Sequence, residues 1–375
     1  MKLVFITYHY LNGYGGGVFA SRAYINALAE LVEDITLLYP MKEGASPDHI
    51  HPGVKLIPVW DRRSRIAKFF ALICGRANRF RKADQFLGDT HYDIVVFDTS
   101  MVTRKIIDYF KKQGTRVITI HHNYQYEYYR DNTNLIIRIP TLFWAKKNEK
   151  EAVRKSDLNL LLTETDRTVF KREYGNGKEE MEVIGAFEYE RQSHQVFPDV
   201  EKPVFLITGN LGAKQTEDSL VPWLDCVFPL LKESVPNAEL VLAGKTPSAF
   251  LLEKARSLGV KVIPSPTSMT PVLAKAKYYI CATSLGGGLK LRVMDGLSSG
   301  LPVICHQVSA RGYEAFVEKG ALFVYNDNNS FLSAVEKAVT STMDKSEIIS
   351  LYERLFSFES GKNRLKDILK RRELL

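Results

Sequence analysis

Cysteine is scarce in this chain: four residues among 375 (Cys74, Cys226, Cys281, Cys305), widely scattered, with no Cys-x-x-Cys pair and no clustered histidines. That pattern excludes a disulfide scaffold and a Cys/His zinc site, and fits reduced thiols in a cytoplasmic protein. No run of about 18 apolar residues occurs, so no segment reads as a membrane span. The opening MKLVFITYHYLNGYGGG has a short apolar run, broken by Tyr8, His9 and Tyr10, with no small-residue cleavage site after it. It reads as a first buried strand rather than a secretory leader. Low-complexity tracts and short-period repeats are absent too, which leaves a globular chain.

What remains is an ordinary soluble composition, 45% hydrophobic and 25% charged, with a net charge of +8. The positive balance favours anionic partners: nucleotides, phospholipid surfaces or nucleic acid. No nucleic-acid recognition motif accompanies it, which sets that third class aside. The length is enough for two domains, since single cores stop growing near 250 to 300 residues.

Short β-branched runs alternate with longer amphipathic segments, the rhythm of βαβ units around a parallel sheet. KLVFITY, DITLLYP, VKLIPVW, DIVVFDT and TRVITIHH read as strands in the first half, with helices over 20–31 and 103–112. PVFLITG, AELVLAG, VKVIPSP, YYICATS and LPVICHQ repeat the pattern in the second, with helices near 220–233, 249–258, 270–276 and 291–298. Residues 187–203 lose periodicity and carry two prolines, as a linker does. The expectation is two Rossmann-like, doubly wound α/β domains, 1–190 and 200–355, facing a central cleft that holds the ligand.

The densest chemistry lies in TSLGGGLKLRVMDGLSSGLPVI, residues 283–304. A strand ends, Gly286, Gly287 and Gly288 form a loop, and a helix is expected to start at Leu291. Backbone N–H groups at such a start suit a diphosphate. Lys290 and Arg292 add charge-assisted hydrogen bonds to its oxygens. Asp295, one turn beyond Arg292, can accept hydrogen bonds from ribose hydroxyls. A tight turn before an ordinary amphipathic helix is the plainer alternative.

The stretch resembles the donor motif of the family-4 glycosyltransferases in the GT-B superfamily, Gly-x-Gly-x-Lys/Arg-x-Lys-x-x-Glu-x-x-x-x-Gly-x-Pro-Val. The matching positions are Gly286, Gly288, Lys290, Arg292, Asp295, Gly300, Pro302 and Val303. Two departures stand out: Asp295 replaces the usual Glu, and Gly287 sits where many members carry a sugar-contacting Glu. The resemblance extends to FLITGNLGAKQTEDS, placing Gly209 and Asn210 beside the donor and Lys214 toward its phosphates. FSFES, residues 356–360, resembles the segment before a last helix that packs back on the first domain, here 356–375.

In the same family a glycine loop after the first strand covers the donor phosphates, which assigns Gly16 and Gly17 to the donor; a flexible hairpin is the alternative. His121 and His122, at the end of the strand ITIHH, are followed by Glu127 and Tyr128 in a pattern similar to that of bacterial surface-polysaccharide transferases. His122, with His121 second, is the candidate catalytic residue. Residues 60–82 hold eight basic residues and one acid, with Ile66, Phe69, Phe70, Ile73, Ala77 and Phe80 on one helical stripe. Either the stripe is core, or Arg65, Lys68, Phe69, Phe70, Arg76 and Arg79 face an anionic membrane.

The resemblance therefore implies a glycosyltransferase using a UDP-, GDP- or dTDP-sugar and no cofactor or metal. It would extend a lipid-linked or membrane-proximal glycan, with retention of configuration, as a peripheral protein on the inner face of the plasma membrane. A sugar-nucleotide epimerase and a non-catalytic nucleotide-sugar-binding subunit are the rivals.

Overall fold

The computed structural model describes the whole chain except Tyr14, residues 42–45, 61, 62 and 104, and the side chain of Arg65. It divides into two compact units, residues 1–192 with 356–375, and residues 193–355. The dividing point falls inside the aperiodic segment 187–203.

The first unit is built on seven parallel strands: β1 (Lys2–Thr7), β2 (Asp34–Met41), β3 (Val54–Trp60), β4 (Ile94–Asp98), β5 (Arg116–His121), β6 (Leu158–Leu161) and β7 (Met181–Val183). Their order is β3-β2-β1-β4-β5-β6-β7. Central strands such as LVFI of β1 and IVVF of β4 are buried on both faces, which is why they read as continuous apolar runs. The second unit has six parallel strands: β8 (Val204–Asn210), β9 (Glu239–Lys245), β10 (Lys261–Pro264), β11 (Tyr278–Cys281), β12 (Val303–His306) and β13 (Leu322–Tyr325). Their order is β10-β9-β8-β11-β12-β13. Each sheet therefore reverses direction once, between β1 and β4 in the first and between β8 and β11 in the second. A doubly wound sheet opens a crevice outside the carboxyl ends of its strands at that reversal.

Several elements differ from the sequence-based expectation. Gly16 and Gly17 belong to the first turn of the helix Gly16–Ala29 rather than to a loop. The expected helix over 220–233 is two helices, Lys214–Cys226 and Phe228–Ser234, because Pro229 at the start of the second lacks the N–H that would continue the first. β6, β7 and β13 went unread; all are four residues or shorter, below the length at which period and composition separate strand from helix. The basic stripe is not one helix. It stops at Ile73, Gly75 turns the chain at φ 62°, and Phe80 enters the core with Val4, Ile6 and Phe97. Arg62 lies outside the described residues, as does the side chain of Arg65.

Candidate functional site

In the second unit, β8 ends in Thr208, Gly209 and Asn210 beside β11, whose following loop carries the glycine triplet. Gly286 and Gly288 take φ of 77° and 71°, the left-handed region that side chains resist, so the backbone there needs glycine. The loop is tied at three points. Gln215 Nε2 donates to the Leu285 carbonyl at 2.8 Å. Lys290 Nζ donates back to the Gly287 carbonyl at 3.1 Å. The Tyr313 hydroxyl donates to the Lys290 carbonyl, also at 3.1 Å.

The helix after the loop is short, Arg292–Ser298, and opens directly with the arginine. The Arg292 guanidinium donates to Thr216 Oγ1 at 3.1 Å and lies against Gly209, where a Cβ would sit 3.1 Å from its Cζ. One turn on, Asp295 accepts from Thr208 Oγ1 at 3.0 Å, and that hydroxyl is 2.5 Å from the Tyr279 hydroxyl. Asp295 as a residue is exposed, with Thr208 and Arg292 standing against its carboxylate. Lost hydration pushes its pKa up to about 6, against the pull of Thr208 and the Arg292 charge. A carboxylate held this way costs the free protein something and is poised to accept hydroxyl donors.

The structure thus brings together Gly209, Gly287, Gly288, Lys290, Arg292 and Asp295 at the reversal of the second sheet. Two further expected donor residues have side-chain partners of their own. Lys214 Nζ pairs with Asp218 Oδ2 at 2.5 Å, one turn along the same helix. Asn210 Oδ1 accepts from Thr246 Oγ1 at 3.2 Å. Thr208, Gln215, Thr216 and Tyr313 were missed; as single hydroxyl or amide residues at strand and helix ends they carry no motif of their own.

In the first unit the reversal lies between β1 and β4, where Thr7 and Asp98 are register partners. Asp98 is fully buried. Its Oδ2 accepts from Thr7 Oγ1 at 2.6 Å and Ser21 Oγ at 2.5 Å, and its Oδ1 lies 2.5 Å from His122 Nε2. Burial alone would raise the carboxyl pKa; the His122 imidazole, with His9 and Ser21, outweighs burial and holds it below the ordinary range. For a neutral ring this contact puts the N–H on Nε2 and the lone pair on Nδ1, the tautomer-fixing role of a buried acid behind a histidine.

His9 completes the cluster. Its ring stands 5.5 Å from that of His122, edge to face. Gly17 makes room for it, since a Cβ there would lie 2.3 Å from His9 Cε1. Burial, reinforced by His122 and opposed by Asp98, lowers the His9 pKa to about 4, so the ring is neutral at physiological pH. Ligand atoms of His9, Asp98 and His122 lie within 4.8 Å of one another and could hold a metal ion. The 2.5 Å Nε2–Oδ1 contact, however, is that of a direct hydrogen bond. Two ligands of one ion, each about 2 Å from it, stand farther apart than that. The helix Gly16–Ala29 starts beside this cluster with no side-chain cap and no acid in its first turn, leaving N–H groups suited to an anion.

His121 is held away from this cluster. Its side chain points to the opposite face of the sheet from His122, bonds Asn159 Oδ1 at 3.0 Å and packs on Phe170, and burial lowers its pKa to about 4. Asp98 and His9 were missed: both sit in strand-like or tyrosine-rich runs where a single polar residue gives no spacing signal. On the basic stretch, Arg79 is turned inward, donating to the Tyr10 hydroxyl at 3.0 Å with its guanidinium over that ring. Lys68, Phe69, Phe70 and Arg76 remain exposed.

Residues 202–341 match the family model described as glycosyl transferases group 1. That stretch is similar to the group 1 glycosyl transferases. No curated protein matches the chain by sequence. Among solved structures, sucrose-phosphate synthase of Thermosynechococcus elongatus superposes with a TM-score of 0.66 at 12% identity, over 100% of this chain and 97% of that one. HepE of Anabaena, solved in complex with UDP, gives 0.63 at 12%, over 99% and 100%. WaaG, a glycosyltransferase involved in lipopolysaccharide biosynthesis, gives 0.64 at 15%, over 98% and 99%. The fold is that of the GT-B glycosyltransferases, and the Gly286–Asp295 cluster lies within the residues that match the family model.

Proposed function

We propose that this glycosyltransferase takes a sugar from a UDP-, GDP- or dTDP-sugar and adds it to a lipid-linked or membrane-proximal glycan in surface-polysaccharide assembly. The observation that carries the donor reading is the raised-pKa carboxylate of Asp295 beside Arg292 and the Lys290-tethered glycine loop. That cluster pairs a hydroxyl acceptor with two cations, the groups that a ribose and a diphosphate call for. The polysaccharide setting draws on the resemblance of the chain to WaaG and its pattern around His122.

In the transfer, the bond from the anomeric carbon to the β-phosphate oxygen breaks and its electron pair leaves with the nucleoside diphosphate. Lys290, Arg292 and the loop N–H groups stabilise that growing charge, and do so without a metal. The new bond forms to an acceptor hydroxyl, which His122 orients through the nitrogen facing away from Asp98, and the hydroxyl's proton passes to the departing diphosphate oxygen. Configuration is retained in this reading.

The test has two arms. A thermal-shift panel of UDP, GDP, dTDP and ADP identifies the base, since a ligand at 100 times its Kd stabilises by about 2.7 kcal/mol. The matching nucleotide sugars are then incubated with and without membrane glycolipid. Sugar transfer that requires the glycolipid supports the proposal. Turnover of the nucleotide sugar alone would identify an epimerase, and tight binding without turnover a binding subunit.

A further inference from the structure

Two helices of the first unit present apolar side chains that the fold leaves open to solvent. The helix Leu135–Lys155 exposes Leu135, Ile136, Ile139 and Phe143 by 58% to 80% of their surface. Their spacing places them along one side of its first turns. The helix Arg65–Ile73 exposes Ile66, Phe69, Phe70 and Ile73 by 37% to 70%. The two ridges meet: Trp144 Nε1 donates to the Ile73 carbonyl at 3.4 Å, and the Trp144 ring lies over Gly75, where a Cβ would approach it to 2.6 Å. A contiguous apolar surface of this size is uncommon unless something covers it.

Charge names the occupant. Residues 62–83 contain eight basic residues and no acid, and residues 133–148 contain Arg138, Lys146 and Lys147 and no acid. The Lys147 ammonium stands over the Phe143 and Trp144 rings at 6.0 and 5.4 Å, a cation at the margin of the apolar patch. Two copies of the chain meeting through this surface would bring like charges together, whereas a bilayer of anionic lipid complements both its apolar centre and its basic margin. No helix among the described residues is long and apolar enough to cross a membrane, so the contact is interfacial.

We propose that the surface formed by Arg65–Ile73 and the first half of Leu135–Lys155 docks the protein on an anionic phospholipid bilayer. Ile66, Phe70, Ile139 and Phe143 enter the boundary between headgroups and acyl chains. Lys68, Arg76 and Lys147 lie among the headgroup phosphates. Docking does not depend on the donor reading, and its test contains neither nucleotide nor acceptor.

The full chain is sedimented with vesicles of phosphatidylcholine alone and of phosphatidylcholine mixed with phosphatidylglycerol. Binding is expected on the anionic vesicles, falling at least tenfold from low to high salt, with little on the neutral ones. Lys68→Glu with Lys147→Glu should weaken it by roughly fivefold per cation removed, or more. Ile139→Ser with Phe143→Ser should weaken it by roughly tenfold per side chain. Both pairs are exposed, so melting temperatures should stay at the wild-type value; a variant that does not melt normally is replaced by Ile136→Ser, read the same way. Wild-type protein that ignores anionic vesicles at low salt overturns the proposal. So does undiminished binding to anionic vesicles by the lysine variants, or a wild-type dimer that the serine variants dissociate without any vesicle binding.

Discussion

Replacing Asp295 by Asn is the sharpest perturbation of the candidate donor site, because the amide keeps an acceptor for Thr208 while removing the charge. Folded, the carboxyl titrates at about 6, against an ordinary value of 3.8. Between those values the native state holds a proton that the unfolded chain releases. The stability this group contributes is therefore full below pH 3.8 and is lost as pH rises through 6. At pH 7 to 8 the Asn variant should be at least as stable as the wild type. Its affinity for a nucleoside diphosphate should nevertheless fall, because a hydrogen bond to a charged acceptor contributes on the order of 1.5 to 3 kcal/mol, about ten- to hundredfold in Kd. Calorimetry with the base selected by thermal shift, run from pH 5 to 8, checks both halves. The diphosphate itself gains a proton near pH 6, as phosphates do, so the informative quantity is wild type minus variant. That difference should be flat above pH 7 and shrink below 6, by about tenfold per pH unit once the carboxyl is mostly protonated. A folded variant with unchanged Kd, or a difference that does not vary with pH, refutes the placement of Asp295 against the ligand.

Three further outcomes follow from the same geometry. Lys290→Ala and Arg292→Ala should each lower kcat roughly a hundredfold, by analogy with removal of one oxyanion-stabilising donor, and EDTA should leave the wild-type rate unchanged; loss restored by magnesium would point to a metal. His122→Ala should lower kcat while leaving nucleoside diphosphate affinity within about twofold, and Asp98→Asn should follow it, because Asp98 acts through the ring; an equal fall in affinity, seen by calorimetry, would return His122 to a structural role. Gly361→Ala places a Cβ 1.9 Å from Phe187 Cγ, and overpacking of this kind costs about 1 to 3 kcal/mol. Urea titration should show the shift, and an unmoved midpoint would mean that the helix Phe358–Arg371 does not press on Phe187.

Legibility in the sequence followed how local each signal was. Strands buried on both faces announce themselves as β-branched runs, and the glycine, lysine, arginine and acid of residues 286–295 lie within one loop and one helical turn. Their grouping is therefore readable in the chain itself. The buried cluster of the first unit was not, because Thr7, Ser21, Asp98 and His122 come from two strands, a helix and the residue just past a third strand, as much as 115 residues apart. His121 and His122 are adjacent, and alternation along a strand sends one into the core and the other to the acid. Only the packing on each face tells which. The basic stretch misled for a related reason: its apolar spacing continues through Phe80, but the left-handed turn at Gly75 ends the helix and folds Phe80 and Arg79 inward.

The sequence by itself determined the alternation of strands and helices, the division of the chain near residue 190, and the basic glycine loop with its carboxylate. Those rest on short-range periodicity and on residue types whose backbone demands do not change with context. Tertiary structure decided the environments. It set Asp295 against Thr208 and Arg292 with its pKa raised, paired Lys214 with Asp218, and set Asp98 behind His122. It also left Ile136, Ile139 and Phe143 uncovered beside Phe70 and Ile73. Solvation, ion pairing and exposure depend on atoms that arrive from distant parts of the chain, and no local pattern encodes them.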